Sequence, residues 1–267
     1  MGGLPSFLEL LDLEYIEEDI YRSCVTFAEP HALFGGQVAA QALYAAGKTV
    51  EPGRLPHSLH GYFLRSGDTQ RPTLFRVDRD RDGGSFSARR VVAIQNGKVI
   101  FNMAASFARP RHIDEPLPDR DAEPVLPGSL PPAESLPAGG HSRHRSFEFR
   151  MEHTGRRLPD QFWIRCTDRL PALEDDPLLH AAVLAYVSDI SSGLILLEQP
   201  GHLASSSIDH AVWFHRQARM SEWIWQDLRP QTVAGGRGWY TGAFYTQDGT
   251  RVASIAQETL FRKAATE

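Results

Sequence analysis

The residue that most strongly suggests chemistry is Asp189, a carboxylate at the end of an apolar segment. Asp176 is a good N-cap, and Pro177 suits the first helical position, where its missing N–H costs nothing. Apolar side chains then cover most of the circumference, which predicts a buried helix. A buried carboxylate needs hydrogen-bond donors or a raised pKa. Asp189 is therefore a candidate catalytic base or water-holding group; the alternative is a helix-terminal Asp that reaches solvent.

Two polar residues further along the chain are candidates for the same chemistry. Ser207 ends a run of three serines just before a strand-like segment, and Gln257 lies in an apolar strand-like segment. A buried amide requires hydrogen-bonding partners. A hydroxyl and an amide can orient a water molecule, but a loop serine and a structural glutamine explain the same pattern.

Two glycines introduce an alanine-rich segment that we predict to be a helix ending near Gly47. The first N–H groups of a helix lack partners inside it and attract negative charge. Gly35, Gly36 and Gln37 are therefore candidate donors to an oxyanion. The alternative is that the glycines only allow close packing of the helix on a sheet.

Four histidines invite other chemistries, which the sequence disfavours. Asp209 and His210 project to opposite faces of a strand and cannot form a dyad. None of His57, His60, His210 and His215 has the helical spacing of a zinc pair, and no Gly-x-Ser-x-Gly elbow is present. We expect these histidines to serve in packing and hydrogen bonding, and we expect no metal.

The elements that must position these residues occur twice. The first half contains the alanine-rich helix and then strand-like runs, two of which flank Asn96-Gly97, a strong hairpin signal. The second half repeats the order, with a buried helix over 176–190 and Asp248-Gly249 at the matching turn. His60–Arg65 lies at a nearly constant offset from His210–Arg216. The chain is therefore predicted to be an internal duplication of one helix-plus-antiparallel-sheet unit, of the α+β class.

The predicted boundaries follow from composition. Residues 1–109 form the first repeat and residues 146–267 the second, which carries the candidate catalytic residues. Residues 110–145, rich in proline and acidic residues, are predicted to be an extended or disordered linker. Aligning the repeats places Asp189 opposite Ala39 and Gln257 opposite Ala104 or Ala105. Polar groups would then occupy the inner surface of one repeat only.

Composition excludes several kinds of partner. The formal net charge of −5 and the pI of about 6.1 argue against binding nucleic acid or an anionic membrane. The two cysteines, Cys24 and Cys166, form no disulfide framework, so a reducing, cytoplasmic location is expected. We find no apolar run of membrane-spanning length and no signal peptide.

Several segments together resemble one family. In chain order they are Phe34–Gln37, His57–Asp68, Arg81–Arg90, Ile208–His215 and Phe244–Gly249. They resemble the acyl-CoA thioesterase II family over nearly the whole chain outside the proline-rich stretch. The resemblance implies a double hotdog fold with sheets joined edge to edge. It also implies hydrolysis of acyl-CoA to free fatty acid and CoA, without a metal or organic cofactor.

The resemblance further implies a catalytic group of Asp, Thr and Gln that holds the attacking water. Asp189 and Gln257 match two of these positions. The Thr position is Ser207 here, which keeps the hydroxyl but loses the methyl group and gains rotamer freedom.

Two alternative functions remain open at this point. One is a hotdog hydratase or dehydratase acting on enoyl or hydroxyacyl thioesters. The other is a non-catalytic acyl-CoA-binding module in which Asp189 is only a structural acceptor. A homo-oligomer is expected in each case, because open sheet edges and apolar strand faces favour symmetric pairing.

Overall fold

A computed structural model describes residues 4–28, 31–110, 126–132, 144–152, 159–190, 193–194 and 202–263, with only the backbone of residues 202, 203, 262 and 263. Its helices are α1 (Phe7–Leu11), α2 (Gly35–Gly47) and α3 (Pro177–Val187), with a 3-10 turn at Pro127–Ser129. The strands are β1 (Leu13–Glu17), β2 (Ile20–Ser23), β3 (Leu55–Phe63), β4 (Leu74–Asp82), β5 (Phe86–Gln95), β6 (Lys98–Ala108), β7 (Phe147–Arg150), β8 (Gln161–Cys166), β9 (His202–Ser207), β10 (Asp209–Phe214), β11 (Ile224–Ala234), β12 (Arg237–Tyr245) and β13 (Arg251–Lys263).

All these strands belong to one antiparallel sheet. The order is β1-β2-β4-β5-β6-β3-β10-β13-β12-β11-β8-β7, and β9 also pairs with β13. The first six strands are mirrored by the last six about the β3–β10 pair, where His60 lies opposite Ala211. Few helices on a mostly antiparallel sheet confirm the α+β prediction, and the mirrored order agrees with a duplicated unit.

The two long helices pack against each other in antiparallel orientation on one face of the sheet. A Cβ atom on Gly36 would lie 2.4 Å from the backbone oxygen of Tyr186, and one on Gly47 would lie 2.4 Å from the side chain of Leu178. The start of α2 therefore lies against the end of α3, and the reverse holds at the other end. Six α2 residues are fully buried, with 0% exposure: Ala39, Ala40, Ala42, Leu43, Ala45 and Ala46. Small side chains allow this close approach.

Local signals in the sequence correspond to local structure. Ser6 forms a capping box with Glu9 at the start of α1. Asn96 and Gly97 both have positive φ, 49° and 71°, as the predicted hairpin turn requires. Asp176 caps α3 by accepting a hydrogen bond from Leu179 N–H.

Ser207 and the strand-like segment that follows it belong to two different strands. β9 ends at Ser207 and β10 begins at Asp209. At the break, Ile208 N–H donates to Glu258 O at 2.8 Å, and the Asp209 carboxylate accepts from Glu258 N–H at 2.7 Å. The Asp209 side chain takes over a ladder hydrogen bond, so pairing continues on both sides of the break.

β11 extends to Ala234, and its register shifts after Pro230, which has no N–H to donate. Within the stretch predicted as a linker, Leu130 packs with Trp163 and Trp225. Most of 110–145 lies outside the described residues. In all the segments that the structure describes, no helix is both long enough and apolar enough to span a membrane.

The two glycines of α2 that contact α3 should respond differently to alanine. Gly36→Ala would push a Cβ atom against a backbone oxygen, and we expect a loss of about 1–3 kcal/mol of unfolding free energy. Gly47→Ala meets only the tip of a leucine side chain, so the intrinsic helix gain of alanine, about 1 kcal/mol, should offset the strain. Denaturant unfolding of both variants measures the difference. Equal effects would contradict the proposed close contact at Gly36.

Candidate active site

Asp189 lies where the end of α3 meets the start of α2. It is the second residue after α3, and its N–H donates to Tyr186 O at 3.4 Å. A Cβ atom on Gly35 would stand 2.6 Å from Asp189 Oδ2, so only glycine leaves room for the carboxylate. The backbone N–H of Gly36 donates to the same carboxylate. The N-terminus of α2 thus holds the negative charge that its peptide dipoles favour.

Ser207 and Gln257 reach Asp189 from the sheet. Ser207, the last residue of β9, lies opposite Thr259 of β13, and Gln257 is two residues before Thr259 on β13. Gln257 Nε2 donates to Asp189 Oδ1 at 3.0 Å and to Ser207 Oγ at 2.5 Å. Ser207 Oγ donates to Asp189 Oδ1 at 3.4 Å. The structure therefore brings together the three side chains singled out in the sequence.

The electrostatic setting of Asp189 suits a base. Asp189 is half-buried, and desolvation by the surrounding protein raises its pKa above the ordinary aspartate value. A positive charge on His210 would oppose this rise most strongly; hydrogen bonds from Gln257, Gly36 and Ser207 also lower the pKa. A carboxylate with a raised pKa accepts a proton more readily than a solvated aspartate does.

The glycine-rich start of α2 serves more than one role. The Gly36 N–H is engaged by Asp189, and Gly36 also permits the contact with Tyr186. Gly36 therefore does allow close packing of α2 against α3, which was the alternative to an oxyanion role. Gly35 and Gln37 share the same helix terminus, and Gln37 is buried. Their oxyanion role stays a prediction.

Sequence reasoning missed His210 as part of this site. His210 is 1% exposed, its Nδ1 contacts Gln257 Oε1, and its Nε2 lies 2.7 Å from Ser188 Oγ. Asp209 and His210 form no hydrogen-bonded dyad among the described contacts, because the Asp209 carboxylate accepts from Glu258 N–H. The signal that remained unused was a second buried polar residue on the same inner face as Gln257.

The other three histidines have the roles expected from the sequence. His57 Nε2 lies 2.8 Å from Ser106 Oγ, and His215 Nε2 lies 2.8 Å from Ser254 Oγ. The His60 ring packs edge-on against Trp213, with the centroids 5.0 Å apart. None of these contacts involves Asp189.

Comparison of the two halves corrects the alignment of Asp189 with Ala39. Ala39 lies inside α2, whereas Asp189 follows the end of α3. The residue equivalent to Asp189 is Thr49, the second residue after α2, whose N–H donates to Ala46 O in the same way. The sequence alignment failed because it matched helix interiors without knowing where each helix ends.

The sheet gives the remaining equivalences. Ala105 lies opposite Arg89, as Gln257 lies opposite Tyr240, so Ala105 is the counterpart of Gln257. Pro56 lies opposite Phe107, as Ser207 lies opposite Thr259. The first half therefore has threonine, proline and alanine where the second half has the carboxylate, hydroxyl and amide.

A cavity remains near the equivalent place in the first half. It has a volume of about 240 Å³, and Pro56, His57, His180 and Phe214 are among its lining residues. His180 is satisfied by Pro171 O and Met220 N–H. The cavity contains no counterpart of the carboxylate group at Asp189.

Comparison with known proteins identifies the relatives of this chain. A family model described as acyl-CoA thioesterase matches residues 137–260, and one described as acyl-CoA thioesterase N-terminal domain matches residues 27–108. The chain is 32% identical to acyl-coenzyme A thioesterase 8 of Homo sapiens, over 98% of this chain and 91% of that protein. It is 32% identical to acyl-CoA thioesterase 2 of Haemophilus influenzae, over 97% of this chain and 98% of that protein.

Comparison with solved structures identifies the fold. An acyl-CoA thioesterase II from Mycobacterium marinum superposes with a TM-score of 0.80 at 38% identity, covering 97% of this chain and 99% of that one. A protein with a hot dog fold from Alicyclobacillus acidocaldarius has a TM-score of 0.75 at 18% identity, covering 97% and 98% of the two chains. The fold is therefore of the hotdog class. The chain belongs to the acyl-CoA thioesterase II family and is a thioester hydrolase.

The raised pKa of Asp189 predicts the acid side of the pH–rate profile. Under the hypothesis that Asp189 is the base, the ionised carboxylate is the active form, so hydrolysis should be lost as the pH falls through the pKa of Asp189. Because burial raises that pKa, the acid limb of kcat/KM should lie above the ordinary aspartate value of about 3.9. Initial rates of thiol release across the pH range measure it, with activity re-assayed at neutral pH to exclude acid inactivation. A limb at or below 3.9 would contradict the assignment.

Proposed function

We propose that the protein hydrolyses acyl-CoA to a free fatty acid and CoA with a water molecule activated at Asp189 and held by Ser207 and Gln257. The observation that carries this proposal is the convergence of three side chains from three separate elements. The side chains of Ser207 and Gln257 donate to the half-buried carboxylate of Asp189, whose pKa is raised, and Gln257 also donates to Ser207. Such a group fits a reaction that needs an oriented water and a base, but no covalent nucleophile.

The proposed chemistry balances without any other reagent. Asp189 removes a proton from the water, whose oxygen attacks the thioester carbonyl carbon and forms a tetrahedral oxyanion. When the oxyanion collapses, the carbon–sulfur bond breaks and the CoA thiolate leaves. The proton on Asp189 passes to that sulfur, which restores the carboxylate. Backbone N–H groups at Gly35 and Gln37 are the proposed oxyanion donors, since Gly36 already serves the base.

We also propose that the architecture is a double hotdog. Residues 1–109 would be the first hotdog repeat, 110–145 the proline-rich linker and 146–267 the second repeat. The mirrored strand order and the edge pairing of β3 with β10 support this proposal. Only the second repeat supplies the base, hydroxyl and amide, so one productive site per chain is expected.

The remaining proposals concern the surroundings of the enzyme. A homo-oligomer is supported by aromatic side chains on the outer sheet face, where Tyr62 is 56% and Trp213 is 37% exposed. A cytoplasmic location fits the two free thiols, Cys24 and Cys166. The negative net charge gives no reason to expect nucleic acid or an anionic membrane as a partner.

The catalytic group is tested by single substitutions. Asp189→Asn should lower kcat for thiol release from acyl-CoA by about 10²- to 10⁴-fold, because the base is lost while the shape is kept. Gln257→Ala and Ser207→Ala should also lower kcat. Ser207→Thr should retain activity, since the hydroxyl remains. Release of free thiol from acyl-CoAs of increasing chain length measures each effect.

The matched control for Gln257→Ala is Glu258→Ala. Glu258 is the next residue on β13, and its side chain pairs with Arg237. Its loss should leave kcat near wild type. Wild-type turnover by folded Asp189→Asn would eliminate the base role, and hydration of crotonyl-CoA without thiol release would point to hydratase chemistry instead.

The oligomer proposal is tested on the outer sheet face. Trp213→Glu should introduce a charge into the proposed interface and shift the protein to a smaller species. Light scattering after size-exclusion chromatography measures the mass, with Tyr15→Glu as the control, because Tyr15 is 63% exposed on β1 at the far edge of the sheet. A wild-type monomer would refute the proposal directly.

A further inference from the structure

The polar network extends beyond the three candidate catalytic side chains. Gln257 Oε1 faces His210 Nδ1, and His210 Nε2 lies 2.7 Å from Ser188 Oγ. Ser188 Oγ also lies 2.9 Å from the backbone oxygen of Ala185. Ser188 and His210 are 0% and 1% exposed. Buried polar atoms that lose their partners cost free energy, so the protons in this network must be distributed consistently.

One distribution leaves Asp189 ionised. Ser188 donates its proton to His210 Nε2, and the imidazole, protonated at Nδ1, donates to Gln257 Oε1. The amide then presents Nε2 to Asp189 and Ser207, as observed. Every donor has an acceptor, and His210 is neutral, in agreement with the lowering of its pKa by burial.

The opposite distribution suits a protonated Asp189. Ser188 donates to Ala185 O, and His210 carries its proton on Nε2. The bare Nδ1 then accepts from a reversed Gln257 amide, whose Oε1 accepts a proton from Asp189. The tautomer of His210 and the protonation state of Asp189 are therefore linked through the orientation of one amide.

We propose that His210 is a positioning residue for the hydrolysis: its Nδ1–H holds the Gln257 amide with Nε2 toward Asp189, and Ser188 holds His210 in that tautomer. The inference rests on the proposed role of Asp189 and Gln257 and extends it to two further residues. His210 touches neither water nor thioester in this scheme. It acts by preventing the amide from turning to stabilise the protonated base.

The first half of the chain supports a specialised role for this pair. Leu59 lies opposite Ala105, so it occupies the position of His210 where the glutamine is absent. Lys48 follows α2 where Ser188 follows α3. The histidine, serine and glutamine therefore occur together in the half that has the carboxylate, and all three are replaced in the half that lacks it.

The charged and titratable groups around this network come from several elements. Asp189 follows α3, Asp209 starts β10, and Tyr240 lies on β12; Asp189 and Asp209 both favour the charged form of His210. Burial outweighs them and lowers the pKa of His210. The pH dependence expected below therefore belongs to Asp189, with His210 neutral on both sides of the transition.

The test compares His210→Leu with His210→Asn. Leucine removes the donor and copies the residue of the first half. Asparagine places an amide N–H near the position of Nδ1. We expect His210→Leu to lower kcat about 10- to 100-fold with KM within about twofold, and to move the acid limb to higher pH. His210→Asn should recover most of the rate and return the limb toward wild type. Ser188→Ala should give a smaller change in the same direction.

Controls separate positioning from packing. His60→Leu removes a histidine that packs on Trp213 outside this network and should leave kcat and the acid limb unchanged. Circular dichroism and thermal unfolding establish that each variant is folded. If His210→Leu does not fold, His210→Asn and Ser188→Ala decide the question by the position of the acid limb.

Two results would overturn the inference. One is a folded His210→Leu enzyme with wild-type kcat and acid limb. The other is equal loss in His210→Leu and His210→Asn with an unmoved limb, which would make the role purely one of packing. Failure of the proposed function is recognised separately, because Asp189→Asn would then keep its activity. If Asp189→Asn loses activity but His210→Leu behaves like the wild type, only the proposed role of His210 is rejected.

Discussion

The site depends on the antiparallel contact between two buried helices, which brings the start of α2 against the end of α3. At this junction the N–H of Gly36 donates to the carboxylate of Asp189, and the missing side chain of Gly35 leaves the space that the carboxylate fills. A helix N-terminus stabilises a negative charge without bringing in a countercharge. A lysine or arginine in its place would lower the pKa of the base much further and weaken it as a proton acceptor.

The duplicated scaffold satisfies its buried polar groups in two different ways. In the first half, Arg89 donates to Thr49 Oγ1 at 2.7 Å and forms an ion pair with Asp82 at 2.8 Å. In that arrangement the guanidinium of Arg89 neutralises the carboxylate of Asp82. In the second half, the equivalent positions of Thr49 and Arg89 are Asp189 and Tyr240. The donors that the structure describes at the Asp189 carboxylate are the neutral groups of Gly36, Ser207 and Gln257. The same backbone therefore yields an ion pair in one half and a carboxylate with neutral partners in the other.

The sequence predicted the elements well because their signals are local. Alternation, the Asn96-Gly97 turn and the Asp176 cap each depend on a few neighbouring residues. It also singled out Asp189, Ser207 and Gln257, partly through the family resemblance; the structure brings the three together, and their catalytic role stays a proposal. It could not supply the partners of His210, because the contacts with Gln257 and Ser188 join residues far apart in the chain. The same limit explains the misaligned Ala39, since helix ends were known only approximately.

The burial of Asp189 also affects the stability of the fold. The folded state raises the pKa of Asp189, so it binds that proton more tightly than the unfolded chain does. Below the unfolded pKa both states are protonated and stability is unaffected; as the pH rises through the folded pKa, ionisation favours the unfolded chain. At neutral pH the ionised form of Asp189 is therefore a net cost to stability. The alanine-rich interface of α2 with α3 and the continuous sheet offset that cost.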